Sequence, residues 1–105
     1  MTAMSLDLEA LETAVRALTR DPARLYGLDD RGLVHPGLKA DLNVIDLGGL
    51  RLHLPEMAFD LPAGARRLLQ RADGYVATLV AGQVVMREGA PTGRLPGRLV
   101  RGASR

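Results

Sequence analysis

The run from residue 27 to residue 46 constrains this chain most, because it forces sharp reversals of direction and then a strand within a short span. Gly27 and Gly32 supply positions where φ can be positive without a Cβ clash. Pro36-Gly37 has the chemistry of a type II turn, with proline pre-set at the second position and glycine tolerating the left-handed third. Residues 42–45, bounded by Asp41 and Asp46, are short, mostly apolar and partly β-branched, which predicts a buried strand entered from a tight turn. The pattern is helical before this run and consists of short strands and turns after it.

Leu8, Leu11, Val15 and Leu18 follow a 3-4-3 spacing, joined by Ala14, so residues 6–19 read as a helix with one apolar face. Ser5 or Asp7 can cap its start, and Glu9 and Glu12 lie toward its positive end. Glu12 and Arg16 form an i,i+4 pair in the favourable order, worth ~0.3 kcal/mol. A shorter helix comes next, with Asp21 as N-cap, Pro22 at the first helical position and Gly27 as its stop. Ala23, Leu25 and Tyr26 carry its contacts.

Beyond Asp46, Gly48-Gly49 breaks the strand, and Pro55 and Pro62 confine the next stretch of chain to loops or edge strands. Residues 66–71 are a candidate strand, with Leu68 and Leu69 inside a basic frame. Residues 75–86 form the clearest hairpin: Val76, Thr78 and Val80 alternate with Ala77 and Leu79, and Val84-Val85-Met86 returns. Ala81-Gly82 occupies its two-residue turn, less ideal than the Asn-Gly a type I′ turn prefers. Residues 88–93 read as an exit loop. Two helices and then about five short strands make an α+β chain.

Composition narrows the function classes. No apolar run reaches the length of a membrane span, and the start lacks the basic head and apolar stretch of a signal peptide. With no cysteine there is neither a disulfide framework nor thiolate chemistry, which fits a cytoplasmic location. Net charge is only +2, and the excess is gathered in Arg94, Arg98, Arg101 and Arg105, a run that reads as a solvated edge or tail. Tyr26, Phe59 and Tyr75 are too few to build a stacking platform, so nucleic acid is not an expected partner.

Asp21-Pro22-Ala23, Gly27-Leu28, Asp30-Arg31-Gly32, Pro36-Gly37 and Ala40-Asp41-Leu42 together resemble the segment by which metal-dependent amidohydrolases leave their catalytic barrel and enter a small accessory β-domain. Asp60-Leu61-Pro62-Ala63-Gly64, Gly74-Tyr75-Val76-Ala77-Thr78 and Gly93-Arg94-Leu95-Pro96-Gly97-Arg98 resemble the C-terminal end of one branch, the N-acyl-D-amino-acid deacylases (D-aminoacylases). The resemblance implies that residues 1–27 are a helical segment like the last barrel helices. It implies that residues 28–105 are a small β-sandwich or partial β-barrel, the whole forming one compact unit. In the resembling enzymes that β-domain is completed by strands from the N-terminal end of a much longer chain.

Those enzymes hold zinc with histidines, a cysteine and an aspartate, and a metal site needs three or four convergent donors. Here there are two histidines, His35 and His53, no His-x-His and no cysteine, so no catalytic, cofactor-binding or metal residue carries over. His35 beside Pro36 reads as a surface loop histidine. His53 and Glu56 make an H-x-x-E pattern, but Pro55 between them argues against the helix that would align them. Ser5 and Ser104 lie near the ends, with no nucleophile-elbow pattern around either. Asp29, Asp30, Asp41 and Asp46 lack calcium-loop spacing; Asp30 and Asp41 read as acceptors of backbone N–H groups that fix turns, and Asp30-Arg31 as a local charge pair.

The expectation is therefore the C-terminal, non-catalytic portion of an amidohydrolase that cleaves non-peptide C–N amide bonds, inactive alone and without a cofactor of its own. The alternative is a free-standing β-rich module that self-associates. Expected partners are a catalytic barrel encoded upstream or a second copy, docked through open strand edges or the first helix, with no membrane contact.

Overall fold

A computed structural model of the chain describes residues 8–102, so Ser5, Leu6 and Asp7 at the expected helix start lie outside the described residues. The chain divides into two units, one made of the residues before Asp41 and after Pro96, the other Asp41–Pro96.

In the first unit, α1 (Leu8–Leu18) and α2 (Arg20–Leu25) are separated by a turn at Thr19. The Thr19 hydroxyl donates back to the Val15 carbonyl at 2.7 Å, a bond that competes with helix continuation. Helix α2 starts before the expected Asp21 cap: Thr19 is the N-cap, its carbonyl accepts the Ala23 N–H at 3.1 Å, and Pro22 falls third. Proline is still tolerated there because first-turn N–H groups have no intrahelical acceptor. Asp21 is thereby released to pair with Arg16 (3.3 Å), displacing the expected Glu12–Arg16 pair. Gly27, at φ 70°, ends α2 as expected. Its N–H donates to Arg24 O (3.2 Å) while the Leu28 N–H donates to Ala23 O (2.8 Å), the two bonds of a Schellman cap.

After this cap the chain folds back on α2. At Gly32, with φ 93°, a Cβ would lie 2.8 Å from Ala23 Cβ and 3.1 Å from Thr19 O. Ala23 is accordingly 6% exposed, and it is the one buried residue among those described. The Pro36-Gly37 turn forms as type II, with Leu38 N–H to His35 O at 3.1 Å and Gly37 at φ 91°. Lys39 N–H to Asp30 O (2.7 Å) closes the loop.

The second unit contains eight short strands rather than five: β1 (Leu42–Ile45), β2 (Arg51–Leu52), β3 (Glu56–Ala58), β4 (Arg67–Leu69), β5 (Ala72–Asp73), β6 (Tyr75–Val80), β7 (Gln83–Arg87) and β8 (Ala90–Pro91). The extra strands are two- or three-residue pairings too short to leave a periodic signal. Four of the eight make an antiparallel sheet in the order β1-β6-β7-β8. Leu42 faces Leu79 and Val44 faces Ala77, and Val76 is the extra residue of a bulge before Ile45 meets Tyr75.

The β6–β7 hairpin turns at Ala81-Gly82, both at positive φ (50° and 76°). The strain at Ala81 is offset locally, because its N–H donates to the Asp41 carboxylate at 2.9 Å. A similar turn at Glu88-Gly89 converts part of the expected exit loop into β8. Thr92 then bonds back to β7 through its N–H (Val85 O, 2.9 Å) and its hydroxyl (Val84 O, 2.6 Å).

Strands β2–β5 and β3–β4 are successive rungs of one hairpin arm, linked by His53 N–H to Arg71 O at 2.9 Å. At the base of the arm the Asp46 N–H donates to Gly74 O (2.8 Å). The fold class is α+β, helices then antiparallel sheets, with no closed barrel among the described residues.

Strand β1 has the expected bounds but is not buried: Val44 is 48% and Ile45 43% exposed, with β1 at the edge of its sheet.

Gly74, at φ 99°, sits where a Cβ would be 2.7 Å from Leu50 Cα, whereas Gly93, at φ 88°, has nothing within 4 Å. Both alanine substitutions carry backbone strain, but only Gly74→Ala adds a backbone clash. It is expected to destabilise the second unit by about 1–3 kcal/mol more than Gly93→Ala in urea unfolding. Equal effects would show that the close approach does not hold the arm.

Candidate functional site

The residues singled out by sequence are distributed rather than gathered. His35 is exposed in its turn, and its Nδ1 lies 2.8 Å from the Pro36 carbonyl, an arrangement in which Nδ1–H donates. His53 sits on the hairpin arm with Nε2 2.9 Å from Asp73 Oδ2, and Glu56 pairs instead with Arg71 (3.2 Å). The H-x-x-E pattern is thus split between two cross-strand partners. Ser5, Ser104 and Arg105 lie outside the described residues; Arg94, Arg98 and Arg101 lie in irregular backbone.

The acidic residues serve turns. The Asp41 carboxylate holds the Ala81 N–H, as expected of a turn-fixing acid. Asp30 is gripped by Arg31, with Nε to Oδ1 at 2.9 Å and Nη2 to Oδ2 at 3.3 Å, while its backbone carbonyl closes the loop at Lys39. The Arg31 hydrogen bond and charge hold the Asp30 carboxyl below its ordinary value. Asp46 acts through its backbone at the base of the arm.

Zinc requires three or more convergent donors. Among the described residues no three of His, Asp and Glu come together in that way. The donor set of these residues therefore does not fit the metal. Apart from Arg31 the ion-paired groups are exposed, where a pair contributes little to stability, and among the described residues none forms a nucleophile–base–orienter chain.

Two arrangements escaped the sequence reading. Asp60 and Arg67 form a bidentate pair, both contacts at 2.6 Å, across the turn that joins β3 to β4. Within that turn Ala63 takes a left-handed φ of 60°. The second arrangement is an open hollow of about 360 Å³ in the first unit. Arg20, Arg24 and Arg31 stand around Leu28, Leu33 and Leu38 there, with Asp29 and His35 also on its wall. The available signal was the i,i+4 spacing of Arg20 and Arg24, which puts both on one face of α2.

Comparison with known proteins places this scaffold. The model of the amidohydrolase family matches residues 6–86, most of the chain. The chain belongs to the amidohydrolase family. A dihydroorotase from Methanothermobacter thermautotrophicus is 33% identical over 90 residues, covering 85% of this chain and 21% of its own length. The amidohydrolase chain thus spans about a fifth of the length of the curated relative it matches. No solved structure matches it. Among the described residues no helix is long and apolar enough to cross a membrane.

The Asp60–Arg67 latch has a defined pH dependence. The Arg67 guanidinium lowers the Asp60 carboxyl below 3.8, and Asp60 raises Arg67 in turn. A carboxyl lowered on folding contributes stability that is fully present above its unfolded value and is lost as pH falls through the folded one. The latch is therefore closed above the ordinary carboxylate range and opens only as pH falls through the lowered value of Asp60. Carboxyl NMR titration of Asp60 is expected to give a midpoint below 3.8 that returns to the ordinary range in Arg67→Gln. An unchanged midpoint in that variant would contradict the latch.

Proposed function

We propose that this chain is the C-terminal, non-catalytic part of an amidohydrolase, and that it seats and stiffens a catalytic barrel carried by another stretch of polypeptide. The observation that carries the reading is the contrast between its apolar side chains and its core. Leu8, Val15 and Leu18 line the apolar stripe of α1 yet are 61%, 47% and 79% exposed, and Val44 and Ile45 are similarly open on the β1 edge. Covering such a side chain contributes about 1.5–3 kcal/mol. A stripe that is patterned for burial but left open calls for a covering surface, and the span of only a fifth of the dihydroorotase gives that surface an origin in the rest of such an enzyme.

The metal donors, and zinc with them, are assigned to that other stretch. The reaction class is hydrolysis of a non-peptide C–N amide bond. The deacylase-like runs at residues 60–64, 74–78 and 93–98 favour N-acyl-D-amino acids as substrates of the complete enzyme. The identity to a dihydroorotase favours a second reading, in which the complete enzyme acts on dihydroorotate. The open β1 edge supports a further alternative, a self-associating module.

The test is to incubate the isolated chain with zinc and N-acetyl-D-amino acids or dihydroorotate, and to measure its mass by light scattering. No turnover and no specific oligomer are expected. Metal-dependent turnover would overturn the scaffold reading, and a stable, discrete dimer would favour the self-associating module.

A further inference from the structure

The hollow beside α2 has features that scaffolding does not require. Arg20 and Arg24, one helical turn apart, bring two like charges together, an arrangement that destabilises a helix. Neither guanidinium has an acidic partner among the described residues. The Arg20 Nε is shut off from solvent and has no hydrogen-bond acceptor, a condition that native proteins seldom leave uncompensated. Arg31 completes the trio; its side chain is only 20% exposed and is steered by its bond to Asp30. Leu28, Leu33 and Leu38 supply an apolar surface beside these charges. Asp29 is the one carboxylate on the wall and Asp30 holds Arg31, so three guanidinium charges meet two acids and one positive charge is left over.

His35 contributes differently. Its Nδ1–H is directed at Pro36 O and so is already used, and the donors left for an anion are the arginines. Guanidinium groups present planar forks that match carboxylate and phosphate oxygens. The volume of about 360 Å³ lies in the range of small-ligand sites.

We propose that this hollow binds a compact oxyanion, a phosphoryl or carboxylate group carried on a small apolar body, between Arg20, Arg24 and Arg31 with the leucines against the apolar part. The anion relieves the Arg20–Arg24 repulsion, and a small turn of the Arg20 side chain brings its Nε–H to an oxygen. The assignment is independent of how the barrel is supplied, since the lining residues all belong to the first unit.

The experiment titrates the full isolated chain, monitored by amide and arginine Nε–H NMR signals, with inorganic phosphate in one arm and butyrate in the other. Saturable shifts confined to residues 20–38 and the Arg20 Nε–H are expected in at least one arm, and the tighter arm identifies the headgroup. Arg24→Gln and Arg20→Gln should each weaken binding about tenfold, the loss of one charge-assisted bond, while Arg66→Gln, in the other unit, should leave it unchanged. Absent or non-saturating shifts, shifts spread over all arginines, or equal binding by the Arg24→Gln variant would each overturn the proposal. None of these outcomes depends on hydrolysis or on a barrel partner, so the scaffold reading stands or falls separately.

Discussion

Both units are held by a backbone passing against a glycine. At Gly32 the returning chain lies on Ala23 and Thr19, and at Gly74 the base of the hairpin arm lies on Leu50 and Asp46; at either place a side chain would meet an atom at 2.8 Å or less. Each contact also needs a positive φ. Elsewhere a domain of this size relies on interlocked apolar side chains, whereas here only one described residue is buried. The geometry is specified by turns, caps and close approaches, and the burial that would make it stable is missing from the described residues.

That separation between specification and stabilisation explains the functional reading. The conformational entropy of ordering a chain costs about 1–2 kcal/mol per residue, a cost met chiefly by apolar burial. The stripe on α1 and the β1 edge have the residues for such burial but not the cover. Membership in the amidohydrolase family, with a span of about a fifth of a dihydroorotase, supplies a coherent reason. On the proposed reading, elements that pack against a larger body keep their local geometry and leave their apolar faces open. The arginine-lined hollow is of another kind, since its charges and its solvent-excluded N–H suit a small ligand better than a packing surface.

Local chemistry was the legible part of the sequence. Gly27 stops α2, Pro36-Gly37 makes its type II turn, and the hairpin across Ala81-Gly82 forms where alternation and turn residues place it. These features depend on φ preferences and on neighbours within a few residues. The start of α2 was misplaced because Asp21, a good cap by type, has a competing partner in Arg16. Strand β8 was hidden because a two-residue pairing carries no period. The exposure of β1 was illegible in principle: an apolar strand reads as buried whether or not its covering layer is present. The Asp60–Arg67 pair and the hollow needed tertiary proximity, although the Arg20–Arg24 spacing was visible as a charged face.

That this polypeptide carries the shape but not the burial of a stable domain is tested most directly by native-state amide hydrogen exchange on the isolated chain. Even the β6 and β7 amides are expected to exchange through openings of about 3 kcal/mol or less. Protection at the roughly 5–15 kcal/mol of a self-sufficient globular domain would contradict that claim.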